Sequence, residues 1–401
     1  MFAKKGNRKA NFSELSQRIS ICMVYVKRAL SLSIAILLLL LPPATMAQQL
    51  INGIVVDETS GLPLEGASVY FNNTSIGTSA NAVGKFSLQL PNLLNAELII
   101  SGVGYERLVY TLPATIDLHR NYVFKLAQKE QQLREVLILP DALRRKYLSI
   151  FEQNFLGITE EASRSSIENR KDIYFTSGDD NNTIRAYSDT PLVIINKMLG
   201  YKIKFELVDF SFDKGNGRTF YYGYTRFEEM GDKSRWQKNR RRCYYGSTVH
   251  FFRSLIANRL KEDAFKIYLI KPVSLSGDTN RVGNGVVKKV HGNQEMAMAV
   301  SVSPDQIIMP DTSNINNYIL AFKGKLMVQY DKEAASKWYL KKNTFIQGNM
   351  PVGFRSYITI KSDFLQITST GIVNNPMDVE YSGYWIYEKA ANMLPFNYEP
   401  D

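Results

Sequence analysis

The sequence predicts a mainly β protein: a small β-sandwich near the amino terminus, then a strand-rich α+β region carrying an amphipathic helix. Three observations predict it. Residues 50–127 are short β-branched and aromatic runs separated by Gly, Pro and Asp turns. Period-two alternation returns from about residue 170, clearest in Tyr201, Ile203, Phe205 and Leu207. Helical spacing of apolar residues is confined to two stretches, Leu143 to Phe155 and Val249 to Leu260.

Residues 1–47 precede any fold and read as a secretory signal peptide. Lys4, Lys5, Arg8, Lys9, Arg18, Lys27 and Arg28 make the start basic, Ala29 to Leu41 is uncharged, and Ala44-Thr45-Met46-Ala47 supplies a small-residue cleavage site. The uncharged run of 13 residues is too short for a spanning helix, which needs about 20. The stretch before Met23 is long for a signal, so translation starts either at Met1 or at Met23. Gln48 follows the cut, so no Cys is there to acylate. Cys22 leaves with the signal and Cys243 remains alone, which forbids an internal disulfide.

Export changes the charge balance. The net charge of +11 falls to +5 once the seven basic residues and Glu14 of the signal are removed. That excess is too small to argue for nucleic acid. The remaining 354 residues suit two or three domains. The expected division is 48–127 sandwich, 128–157 linker strand and helix, and 158–401 α+β domain.

Within the sandwich, Ile51 to Asp57 is a strand ending in the turn Glu58 to Gly61. Pro63 and Gly66 bracket the next bend before Ala67 to Phe71. The pattern Gly53-x-Val55-x-Asp57, Gly61-x-Pro63-Leu64-x-Gly66-Ala67-x-Val69, Gly77-Thr78 and Gly84-x-Phe86-x-Leu88 resembles the carboxypeptidase regulatory-like domain. The resemblance implies a seven-stranded, transthyretin-like sandwich of the kind found at the amino termini of Bacteroidetes outer-membrane proteins. It implies no metal ligands, because that domain only accompanies the catalytic unit.

The residues agree with that caution. Three positions after His119, His250 and His291 stand Tyr122, Arg253 and Gln294, none a carboxylate, and no His-Glu-x-x-His occurs. No metal or other cofactor is expected, and no enzyme. Ser247 and His250 share a helical face, but no Gly-x-Ser-x-Gly elbow or orienting acid accompanies them.

After the sandwich, Leu133 to Leu139 reads as a connecting strand. Pro140-Asp141 opens a helix whose stripe (Leu143, Tyr147, Ile150, Phe151, Phe155) is expected to pack between the two domains, and Gly157 closes it. The alternation slips by one at Leu207, which predicts a β-bulge. Leu326 to Tyr330, Tyr357 to Ile360, Phe364 to Ile367 and Tyr384 to Tyr387 read as late strands, with turns at Gly348-Asn349 and Asn374-Asn375-Pro376. Gly200-Tyr201 and the Tyr-Gly-Ser-x-x-His-Phe stretch ending at Phe251 are similar to a conserved region of unknown function. In larger relatives that region leads into a membrane barrel; here the residues after about 318 are expected to complete an α+β domain instead.

The densest charge run is Lys233, Arg235, Trp236, Lys238, Arg240, Arg241 and Arg242. Two readings stand. It is a solvated face balanced by Glu228, Glu229 and Asp232, or it holds an anionic partner such as lipid phosphate or acidic glycan. Cations in a helix's first turn oppose its dipole and call for outside compensation. The expected function is a non-catalytic binding or assembly module, exported to the periplasm or outer membrane. Its partner would be an outer-membrane protein or an envelope glycan, with peripheral membrane contact and no nucleic acid. The alternatives are a glycan-binding component of polysaccharide uptake and a hydrolase built on two carboxylates.

Overall fold

The computed structural model of the chain describes Lys27 and residues 49–400 apart from 92–95, 114, 130–138, 178–181, 276–293, 315, 333–335, 337–338 and 340–353. The expected signal peptide, the 133–138 strand, His291 and the Gly348-Asn349 turn therefore lie outside the described residues. Residues 1–49 are a unit of their own, and everything from Leu50 on forms a second.

The sandwich has seven strands: β1 (Leu50–Asp57), β2 (Ser68–Phe71), β3 (Gly77–Ser79), β4 (Lys85–Gln89), β5 (Glu97–Ser101), β6 (Leu108–Thr111) and β7 (Asn121–Leu126). They form two sheets, β4-β1-β7 and β3-β2-β5-β6. β1 runs antiparallel to β4 and parallel to β7. Alternation decides what is inside: Phe86 and Leu88 of β4, and Tyr122, Phe124 and Leu126 of β7, are buried with Ile51, Val69, Phe71, Leu98 and Ile100. Asp57 ends β1 by accepting the amides of Thr59 and Ser60, while Tyr105 and Gln128 donate to its other oxygen. The Ser60 amide and then Gln128 hold this carboxyl well below the usual carboxylate range. That explains an Asp at the end of the first motif.

The region after the sandwich builds two cores rather than one. The first uses α1 (Asp141–Phe155), the short α2 (Glu160–Ser163), β8 (Ser165–Ile167), β9 (Ile173–Ser177), β10 (Thr183–Ser188), β11 (Leu192–Asn196), β12 (Tyr201–Asp213) and β13 (Thr219–Glu229). The sheet order is β8-β11-β12-β10-β9, with β13 along the other side of β12. The expected bulge is present: the β12/β13 register shifts between Leu207 and Asp209, leaving Val208 exposed. The stripe on α1 does not pack between domains as expected. Phe151 lies against Phe175 and Phe210, and Phe155 against Phe205 and Tyr221, all within this core.

The second core holds β14 (Phe265–Leu275), β15 (Gln294–Ser301), β16 (Ile308–Pro310), β17 (Asn317–Leu320), β18 (Lys325–Tyr330), β19 (Phe354–Ile360), β20 (Leu365–Thr368) and β21 (Val379–Gly383). They make a sheet β15-β14-β18-β19-β21 and a smaller sheet β16-β17-β20. Tyr384 to Tyr387, expected as a strand, is instead a 3₁₀ turn over Tyr384–Ile386. A strand would send successive rings to opposite faces, whereas Tyr384, Trp385 and Tyr387 all enter one core. The turn lets Tyr384 stack on Phe354 at 4.0 Å while the Trp385 indole donates to Gly246 O at 2.8 Å.

Two helices join the cores where one was expected: α3 (Ser234–Tyr244) and α4 (Thr248–Ile256). Gly246, at φ +82°, breaks them, and the Ser247 hydroxyl caps α4 by accepting the His250 amide. Leu260 is buried beyond the end of α4.

Candidate functional site

The charge run falls on α3 and divides by face. Trp236 and Arg240 are one turn apart, and both point inward, at 4% and 2% exposure. The indole donates to Lys197 O at 3.0 Å and lies over Gly200, where φ is +69° and a Cβ would sit 2.2 Å from the ring. Only glycine fits that turn. Arg240 donates from Nε to Leu199 O at 2.8 Å, reaches Gly200 O and Glu229, and stacks 3.9 Å from the Tyr201 ring centroid. These two residues are the bolts that hold α3 on the sheet, so they do not face a partner.

Lys233, Arg235, Lys238, Arg241 and Arg242 are exposed. Arg242 is tied to Glu161 and lies 3.6 Å from Glu160. The other four make no ion pair among the described residues. Lys233 and Arg235 rest on the Trp236 ring at 4.7 and 5.8 Å. No acidic residue occupies the first turn of α3 and no side chain caps it. The aromatic ring is thus the compensation for cations at a helix start, and it leaves their outward hydrogen-bonding capacity unspent.

The neighbouring polar groups are engaged. The buried His250 imidazole accepts the Gly246 amide at Nδ1, 3.0 Å away, and sits among Tyr244, Tyr245, Phe265 and Tyr330. Its Nε2 lies 4.0 Å from Asp263. Burial outweighs that carboxylate and moves the pKa from 6.5 down to about 4. A depressed histidine favours the neutral form in the fold, so stability is full above 6.5 and is lost as pH falls toward 4. Urea unfolding of the wild type is expected to weaken by about 2–3 kcal/mol between neutral pH and about pH 4.5 beyond the loss seen in His250→Phe. Equal losses in the two proteins would refute this. Cys243 is buried, and burial pushes its thiol up. His119 is exposed on a turn. Among the described residues no three or more His, Cys, Asp or Glu side chains gather as a metal site, and no helix is long and apolar enough to cross a membrane.

A cavity of about 380 Å³ borders α3 and is lined by Glu160, Glu161, Arg242, Tyr387, Glu388 and Asn392, among others. Glu161 is buried and is committed to Arg242 and to the Asn392 amide at 3.1 Å.

The sandwich is bolted to the first core through β13 and β12. Tyr70, Ser101 and Arg107 all donate to the buried Glu206, at 2.7, 2.9 and 2.5 Å. Backbone bonds join Asn73 to Thr225 and Phe227 to Thr74. Arg226 covers the β3 edge, donating to Ser68 Oγ and Thr78 O, so that edge is closed to an incoming strand. The tail returns to the same seam: Phe396 N donates to Asn73 O, and Asn397 exchanges bonds with Ser75. Arg253 fixes the tail by donating to the carbonyls of Phe396 and Tyr398.

The sandwich so described is a CarboxypepD_reg-like domain: that family's model matches residues 51–138. The match runs past β7 into 130–138. Comparison of the chain with curated proteins finds no match.

Proposed function

We propose that this chain is exported and acts as a non-catalytic binding module of the cell envelope, held against a phosphate-bearing lipid surface by the outer face of α3. One observation carries the reading. Lys233, Arg235, Lys238 and Arg241 are exposed with no ion pair among the described residues, on a helix whose inner face is fixed by Trp236 and Arg240. Arg235, Lys238 and Arg241 recur every three residues, which places them on one side of the helix. A rigid helix with unspent cations suits an anionic surface, where each contributes about 1 kcal/mol.

The test is sedimentation of the purified chain, without residues 1–47, with phosphatidylglycerol vesicles and with phosphatidylcholine vesicles. Binding to the anionic vesicles is expected, released by salt. The triple variant Arg235→Glu, Lys238→Glu, Arg241→Glu should bind about 100-fold more weakly. Equal binding to both lipids, undiminished binding by the variant, or binding to an acidic glycan alone would sink the lipid reading.

A second reading, a carboxylate-based hydrolase, is favoured by the cavity that brings Glu160, Glu161 and Glu388 together. Hydrolysis of a nitrophenyl glycoside that disappears in both Glu160→Gln and Glu388→Gln would support it; no turnover by the wild type would leave the binding reading in place.

A further inference from the structure

A second cavity, of about 530 Å³, opens where the sandwich, β13 and the second core meet. Its walls include Phe205 and Tyr221 from the first core, Phe252 from α4, Tyr381 from β21 and Phe396 from the tail. Its volume and aromatic lining are those of a small-molecule site. Glu97 is the only charged side chain among the lining residues, and Asn72 donates to it at 2.7 Å.

Two hydroxyls of this wall, those of Tyr221 and Tyr381, lack hydrogen-bond partners among the described residues. Thr225 is fully buried behind that wall, beyond a ligand's reach, and its Oγ1 has no hydrogen-bond partner among the described residues. It stands opposite Phe205 in the β12/β13 ladder, on the same face of β13 as Tyr221. Its own backbone groups are spent on Asn72 and Asn73. The phenols of Tyr221 and Tyr381 make no hydrogen bond among the described residues, and burial pushes the first to about 12 and the second higher. Half-buried phenols in an aromatic cavity leave their donors and acceptors free for a ligand.

We propose that this cavity binds a neutral sugar residue, its ring face on the aromatic wall and its hydroxyls bonded to Tyr221 and Tyr381. Three features select that chemistry. The wall holds no cation, and its one carboxylate, Glu97, disfavours an anionic ligand. Flat rings accept the apolar face of a pyranose. Hydroxyls that both donate and accept match a partner whose groups do the same. The site is separate from the outer face of α3, and its probes share nothing with anionic vesicles.

Thermal unfolding of the chain without residues 1–47 is followed with maltotriose, cellotriose, xylotriose and N-acetylchitotriose. At least one is expected to raise the wild-type Tm by about 2 °C or more. Tyr221→Phe keeps the ring and removes the unpaired hydroxyl, so its sugar-free Tm should be unchanged or higher while the sugar-induced rise falls by at least half. Tyr381→Phe should lose at least half of the rise. No shift by any of the four sugars, or a full rise in Tyr221→Phe and in Tyr381→Phe, overturns the proposal. So does a lowered sugar-free Tm in Tyr221→Phe, which would mean the hydroxyl serves the fold.

Discussion

Glu206→Ala is expected to lower the unfolding free energy by about 3–5 kcal/mol, the cost of removing one member of a buried ion pair. The carboxylate is the common acceptor for Tyr70, Ser101 and Arg107, and its side chain is only 9% exposed. Alanine leaves the Tyr70 hydroxyl without its acceptor in a buried seam and the Arg107 guanidinium without its countercharge. Glu206→Gln keeps an acceptor for the hydroxyls and should cost about 1–2 kcal/mol. Urea unfolding measures both. A double-mutant cycle with Arg107→Met should return a coupling above about 1 kcal/mol. A loss below about 1 kcal/mol for Glu206→Ala would mean the backbone bonds at Asn73 and Thr74 dock the sandwich alone.

Arg240→Ala is expected to cost about 3 kcal/mol, and Arg240→Lys to recover little of it. The guanidinium serves two strand-turn carbonyls and a phenol ring at once. An ammonium has neither the fork nor the flat face to do so. Arg241→Ala, one residue on and exposed, should change stability by less than about 0.5 kcal/mol. Thermal unfolding of the three variants separates the structural cation from the surface cations. Similar effects at both positions would refute the division of α3 into two faces.

The sandwich was legible because its signals are local. Turn residues fall between short alternating runs, and Asp57 closes its own turn within three residues. The bulge after Leu207 was legible for the same reason. Arg240 was not read as an internal residue, since a charge run normally means solvent. Its spacing from Trp236, Cys243 and Tyr244 did carry an inward stripe, which the surrounding cations obscured. Tyr384 to Tyr387 failed because an aromatic run fits a strand or a tight turn equally well. Which one forms depends on Phe354 and Gly246, far away in sequence. The cavity residues Tyr221 and Tyr381 carry no local motif at all, and only the tertiary fold brings them together.

The tail clasp fixes the order in which this molecule can finish folding. Asn397 bonds to Ser75 across a separation of 322 residues, and Phe396 closes on the neighbouring Asn73. A chain emerging amino terminus first therefore completes its sandwich long before the segment that seals it exists. During that interval the Asn73 and Ser75 turn stands open to water, to proteases and to helpers that hold unfinished chains. Closure of the seam waits for Phe396 and Asn397 to emerge, so a chain that stops before them would carry an open latch that quality control could read.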